Sequence, residues 1–117
     1  MRQTAAPIAN LNIDVMVATR EFTYTVPFNC KVAELHTAAD SNSTSDYATV
    51  TMTYAGTTIM TAPAILAADA DYSTTGADGG QLDFLPSGAL IKLVVTVTGT
   101  ASNIKGVVAT LWAERKR

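Results

Sequence analysis

The chain has 117 residues, only 15% of them charged, and a formal net charge of −2 at pH 7. That length holds one core and not two, and no apolar run approaches the eighteen or so residues of a membrane-spanning helix. Charge falls well below the roughly 25% of ordinary soluble domains, while Thr and Ala together supply about a third of the residues. The surface must therefore be covered by hydroxyls, methyls or neighbours.

In chain order, the opening "MRQTAAPIANLNIDV" lacks the apolar core of a signal peptide, so synthesis in a cytoplasm is expected. Residues 1–10 read as an N-terminal arm. From Leu11 to Ala18 the apolar residues Leu11, Ile13, Val15 and Val17 share one face of a strand, and Phe22, Tyr24 and Val26 repeat the pattern. "CKVAELHTA" has β character without clean alternation, because Val32 and Leu35 fall on opposite faces; a bulge or a partly covered edge is expected. Tyr47–Tyr54 is the clearest strand, with Ala48, Val50, Met52 and Tyr54 on one side and Tyr47, Thr49, Thr51 and Thr53 on the other.

"YAGTT" is a hairpin turn into Thr58–Thr61, which Pro63 stops. The stretch from Pro63 to Gly80 carries the Asp, Ser, Thr and Gly content of a long surface loop, with room for a helical turn at Ala64–Ala68. Ile91, Leu93, Val95 and Val97 then alternate with polar residues, "TGTASN" forms a loop, and Ile104–Ala113 is the last strand before a basic tail at 114–117. About eight strands at this spacing, with no βαβ pattern, predict a single all-β domain over 1–117: an antiparallel β-sandwich, an eight-stranded jelly roll first and an immunoglobulin-like sandwich second.

Few residues have the makings of a site. Cys30 and His36 are the sole cysteine and histidine, but six residues of extended chain hold them about 20 Å apart, so Cys30 reads as a small buried hydrophobe and His36 as an edge or surface residue. With one cysteine there is no internal disulfide. "DADYSTTGADGG" places Asp69, Asp71 and Ser73 at the first, third and fifth positions of a calcium loop. It then lacks the glycine at the sixth and the glutamate at the twelfth, so the EF-hand reading fails; a looser site among Asp69, Asp71, Asp78 and Asp83 stays open. Phosphate-binding loops, nucleophile elbows and zinc spacings are absent, and neither catalysis nor a cofactor is expected. "NST" at Asn42 has the form of a glycosylation sequon only.

The charges are unevenly placed. Seven acids and no base lie between Val32 and Ile91, and all eight bases lie outside that window. Either this is chance, or the molecule has one basic end and one acidic end. Nucleic acid is disfavoured as a partner by the net charge. Trp112 shares its face with Val108, Thr110 and Glu114, opposite Val107, Ala109 and Leu111; it either closes the core at one end or anchors an interface together with Arg115.

"FTYTVPFNCKVAELHTAAD", the Thr-rich "YAGTTIMTAP" and the closing "GALIKLVVTVTGTASNIKGVVATLWAERKR" resemble the small β-sandwich virion proteins of tailed bacteriophages, head decoration (cement) proteins above all. The likeness is one of style and spans Phe22–Arg117. It implies a jelly-roll subunit, often trimeric, on the capsid exterior, bound to itself and to the major capsid protein and not to nucleic acid or membrane, with no cofactor. The residues expected to bind partners are Arg2, Arg20, Lys105, Trp112, Arg115, Lys116 and Arg117, the bases facing an acidic capsid surface. A phage fibre, tail or carbohydrate-binding module, stacking sugars on Tyr47, Tyr54, Tyr72 and Trp112, is the alternative. A small hydrolase on the same scaffold would need two carboxylates in one pocket.

Overall fold

The computed structural model describes residues 5–67, 69–75, 78 and 84–115. Among them are nine strands: β1 (Ala5–Val15), β2 (Arg20–Thr25), β3 (Cys30–Ala39), β4 (Tyr47–Tyr54), β5 (Thr57–Thr61), β6 (Ala70–Thr75), the two-residue β7 (Phe84–Leu85), β8 (Leu90–Thr98) and β9 (Lys105–Arg115). They form two antiparallel sheets, one ordered β1-β9-β3-β6 with β7 also on β3, the other ordered β2-β8-β4-β5. The pairings nest: β4 with β5, β3 with β6, β2 with β8 and β1 with β9. The all-β antiparallel sandwich read from the sequence is thus the fold.

Period-two alternation builds the core. Ala48, Val50 and Met52 of β4 and Ile91, Leu93 and Val95 of β8 face Leu35 of β3 and Val107, Ala109, Leu111 and Ala113 of β9, all buried. Burying each large aliphatic side chain stabilises by about 1.5–3 kcal/mol. β4 runs from Tyr47 to Tyr54 as its pattern predicts. The broken alternation of β3 is a bulge: its register against β9 shifts between Val32 and Glu34, so Val32 and Leu35 both reach the core. β3 is not an edge, since β9 flanks it on one side and β6 and β7 on the other.

Four expectations are corrected. The N-terminal arm is strand from Ala5 on, because β9 pairs with β1 as far as Ala5 opposite Glu114. The same β9 absorbs Glu114 and Arg115, the first half of the expected tail. The Leu11–Ala18 strand ends at Val15; Leu11 and Ile13 are buried, but Val15 is 42% and Val17 83% exposed, and Met16 turns inward instead. The 63–80 segment is not one loop: Ile65 is buried and bridges Ala48 in place of a helical turn, and Ala70–Thr75 pairs with β3 as β6.

Candidate functional site

The outer face of the first sheet carries most of the chemistry-bearing side chains. Because β1, β9, β3 and β6 are in antiparallel register, their outward residues line up in rows. Pro7, Trp112, Glu34 and Thr75 form one row, and Asn10, Thr110, His36 and Ser73 the next. Side chains within this surface hold one another: Ser73 Oγ donates to Glu34 Oε1 at 2.7 Å, Thr110 Oγ1 donates to Asn10 Oδ1 at 3.4 Å, and His36 Nε2 lies 3.7 Å from Asp71 Oδ2. Trp112 is half-buried on this face, three residues before the end of β9, while Leu111 and Ala113 on either side of it are buried inward. Its side chain belongs to the outer face and does not close the core.

At the bulge in β3 the same face opens into a groove of about 450 Å³, lined by Ala5, Lys31, Val32, Ala33, Glu34, Thr75 and Glu114. A bulge bends its strand and re-aims side chains, and here the bulge residue Ala33 is itself part of the lining. Glu34 and Glu114 therefore share one open groove, a convergence invisible in the sequence, where they stand eighty positions apart. On the other sheet, a groove of about 400 Å³ is lined by Glu21, Thr23, Thr53, Ala55, Gly56, Leu90, Lys92 and Val94, with Lys92 Nζ 3.7 Å from Glu21 Oε2.

No family model matches the chain, and no curated protein matches it. Among solved structures, the "Structure of infectious bursal disease virus Gx strain" aligns over 97% of this chain at 15% identity with a TM-score of 0.48. The chain spans about a third of that chain's length, 32%.

The basic residues are dispersed. Lys105 and Arg115 begin and end β9, an 11-residue strand, which sets them about 33 Å apart. Arg20 opens β2, its guanidinium carbon 4.7 Å from the centre of the Phe22 ring. Arg115 lies 5.0 Å over the Phe28 ring and pairs with Cys30 across the sheet. Acids share the Lys105 end: Asp40 N donates to the Lys105 carbonyl, and Asp46 Oδ1 accepts from Thr100 N. A single basic pole opposite an acidic one is therefore not formed by the described residues, because antiparallel strands carry sequence neighbours to opposite ends. Arg2, Lys116 and Arg117 lie outside the described residues.

The remaining candidates separate. Cys30 is fully buried, which pushes its thiol pKa up, and His36 is on the outer face of the same strand, so the two form no dyad. Asp78 accepts from Thr61 N and Thr61 Oγ1, and Asp71 faces His36. Among the described residues no three His, Cys, Asp or Glu side chains converge to hold a metal, and Asp83 lies outside them. Tyr54 and Tyr72 pack against the core, whereas Tyr47 and Trp112 stand on different sheets, so the four aromatics make no common platform. Asn42 is buried, and its Nδ2 donates to the Ile65 carbonyl at 2.7 Å; the sequon's amide is thus committed to the fold.

Proposed function

We propose that the chain is a non-enzymatic virion structural protein, a jelly-roll subunit that decorates a capsid and docks through one tip of its sandwich. The nested strand pairing supports the jelly roll, since a long hairpin rolled on itself pairs its strands in that order. The observation that carries the docking reading is the tip itself. There Val17 is 83% and Val15 42% exposed, Val15 pairs with Lys105, and Arg20 follows three residues after Val17.

Exposed aliphatic residues flanked by Lys105 and Arg20, with Asp40 beside Lys105, fit a partner surface that is apolar at its centre and offers an acid opposite Arg20. Binding there stabilises a shell by mass action, without chemistry. The resemblance of "FTYTVPFNCKVAELHTAAD" and its companions to phage head proteins supplies the partner, the major capsid protein, and a homotrimer as the assembly.

Co-sedimentation with purified heads tests the reading. The chain is expected to pellet with heads lacking it, salt weakening the association. The double variant Val17→Asp/Arg20→Glu is expected to stay in the supernatant, and Arg115→Glu, at the other end, to pellet. Failure of the unaltered chain to pellet, or equal loss in both variants, overturns tip docking; the mass in sedimentation velocity decides the trimer.

A further inference from the structure

The groove at the β3 bulge is far from the proposed docking tip, since it lies at the Glu114 end of β9 and the tip at the Lys105 end. Its lining is of mixed sign: one ammonium from Lys31, two carboxylates from Glu34 and Glu114, and one hydroxyl from Thr75, over a floor that includes Ala33. Trp112 adjoins it, directly across from Glu34 and two positions from Glu114 on the outward side of β9. We infer that this groove, with Trp112 at its side, binds a neutral oligosaccharide.

The two carboxylates, Glu34 and Glu114, outnumber the one ammonium and exclude an anion. A neutral polyol meets only useful partners, because each hydroxyl both donates and accepts: carboxylates offer acceptors alone, an ammonium offers donors alone, and Thr75 offers both. Glu34 is already oriented by the 2.7 Å bond that its Oε1 accepts from Ser73 Oγ. That preorganisation lowers the ordering cost of binding. Trp112 supplies what the hydroxyl partners cannot, an apolar surface for the C–H face of a sugar ring, on a side chain that is half-buried and so held in place. From Ala5 on β1 to Thr75 on β6 the lining crosses three strand intervals, about 14 Å at the usual spacing, which favours an oligosaccharide over a single sugar.

Trp112 is the chain's only tryptophan, so its fluorescence reports on this groove alone. Titration of the full chain with cellohexaose, maltohexaose, chitohexaose and mannohexaose is expected to give a saturable change in intensity or wavelength with at least one of them. Glu34→Gln, which keeps the reporter, is expected to weaken that affinity by roughly tenfold, the equivalent of about 1.4 kcal/mol. Glu21→Gln, on the other sheet, is expected to leave it unchanged. Calorimetry with Trp112→Ala and Trp112→Phe covers the reporter itself: the first is expected to abolish binding and the second to retain part of it.

The inference is overturned if no sugar in the panel gives a saturable response, if Glu34→Gln binds as the parent does, or if an oligolysine or sulfated saccharide titrates the fluorescence while the neutral sugars do not. It does not depend on capsid docking. Glu34→Gln is expected to co-sediment with heads normally, and Val17→Asp/Arg20→Glu to keep the fluorescence response, so either reading can fail alone.

Discussion

Tyr24 Oη donates a hydrogen bond to the Asn10 carbonyl at 2.9 Å, joining the edge strand of one sheet to the edge strand of the other. An unpaired row of backbone groups at a sheet edge is an open template for a foreign strand, and here one of β1's carbonyls is taken from the neighbouring sheet. Tyr24→Phe removes the donor and keeps the ring. It is expected to lower stability by about 0.5–1.5 kcal/mol, read as a lower urea midpoint at unchanged slope. No change in midpoint would mean that water replaces the phenol without loss.

The turn between β4 and β5 has an internal mismatch. Ala55 and Gly56 both adopt positive φ, 53° and 81°, the two-residue hairpin geometry in which Asn-Gly is preferred. Alanine carries a steric cost there that asparagine largely escapes. Ala55→Asn is expected to stabilise the chain by about 0.5–1 kcal/mol, and thermal unfolding of the single variant measures it. Since Ala55 and Gly56 also line the groove on the second sheet, the same variant leaves the Trp112 groove untouched.

The legible parts of this fold were those in which local pattern and tertiary demand agree. Tyr47–Tyr54 alternates strictly and is the strand it announces; "YAGTT" turns where its glycine permits. The broken alternation of "CKVAELHTA" marked the bulge, which is also the one sequence signal that pointed toward the groove. Strands β6 and the first half of β1 were hidden because small or polar residues fill them, Ala70, Ser73 and Thr75 in one, Ala5, Ala6 and Pro7 in the other. Their pairing partners, β3 and β9, impose the extended conformation that their own propensities do not. The groove was hidden for a further reason. Glu34 and Glu114 meet only through register, and charge counted along a chain says nothing about charge in space, as Lys105 and Arg115 show.

Two glycines are fixed by close approach as well as by positive φ. A side-chain carbon on Gly99 (φ 88°) would run into the Ser45 carbonyl and the Asp46 carboxylate, and one on Gly106 (φ 66°) into the Asp40 carboxylate. The two sites differ in what must yield. At Gly99 the obstacle includes backbone, whereas at Gly106 it is a single acidic side chain that can swing away. Gly99→Ala is therefore expected to cost more than Gly106→Ala, both exceeding about 1 kcal/mol from conformation alone. Chemical denaturation of the pair checks the order, and the reverse order would refute it.

Alkaline pH should loosen the fold through two groups. Burial raises the Cys30 thiol above its ordinary 9.0 and the Tyr24 phenol above its ordinary 10.0. Below pH 9 both are protonated in folded and unfolded chains alike, so neither makes stability depend on pH. Above it the unfolded chain ionises first and binds fewer protons than the folded one, and stability falls as pH rises through the folded values. Urea midpoints are thus expected to be flat up to about pH 9, to fall with the thiol, and to fall more steeply once the phenol joins. Cys30→Ala is expected to flatten the first part of that decline and Tyr24→Phe the second, each against its own midpoint at neutral pH. A decline that keeps its full slope in the double variant would show that neither group drives alkaline unfolding.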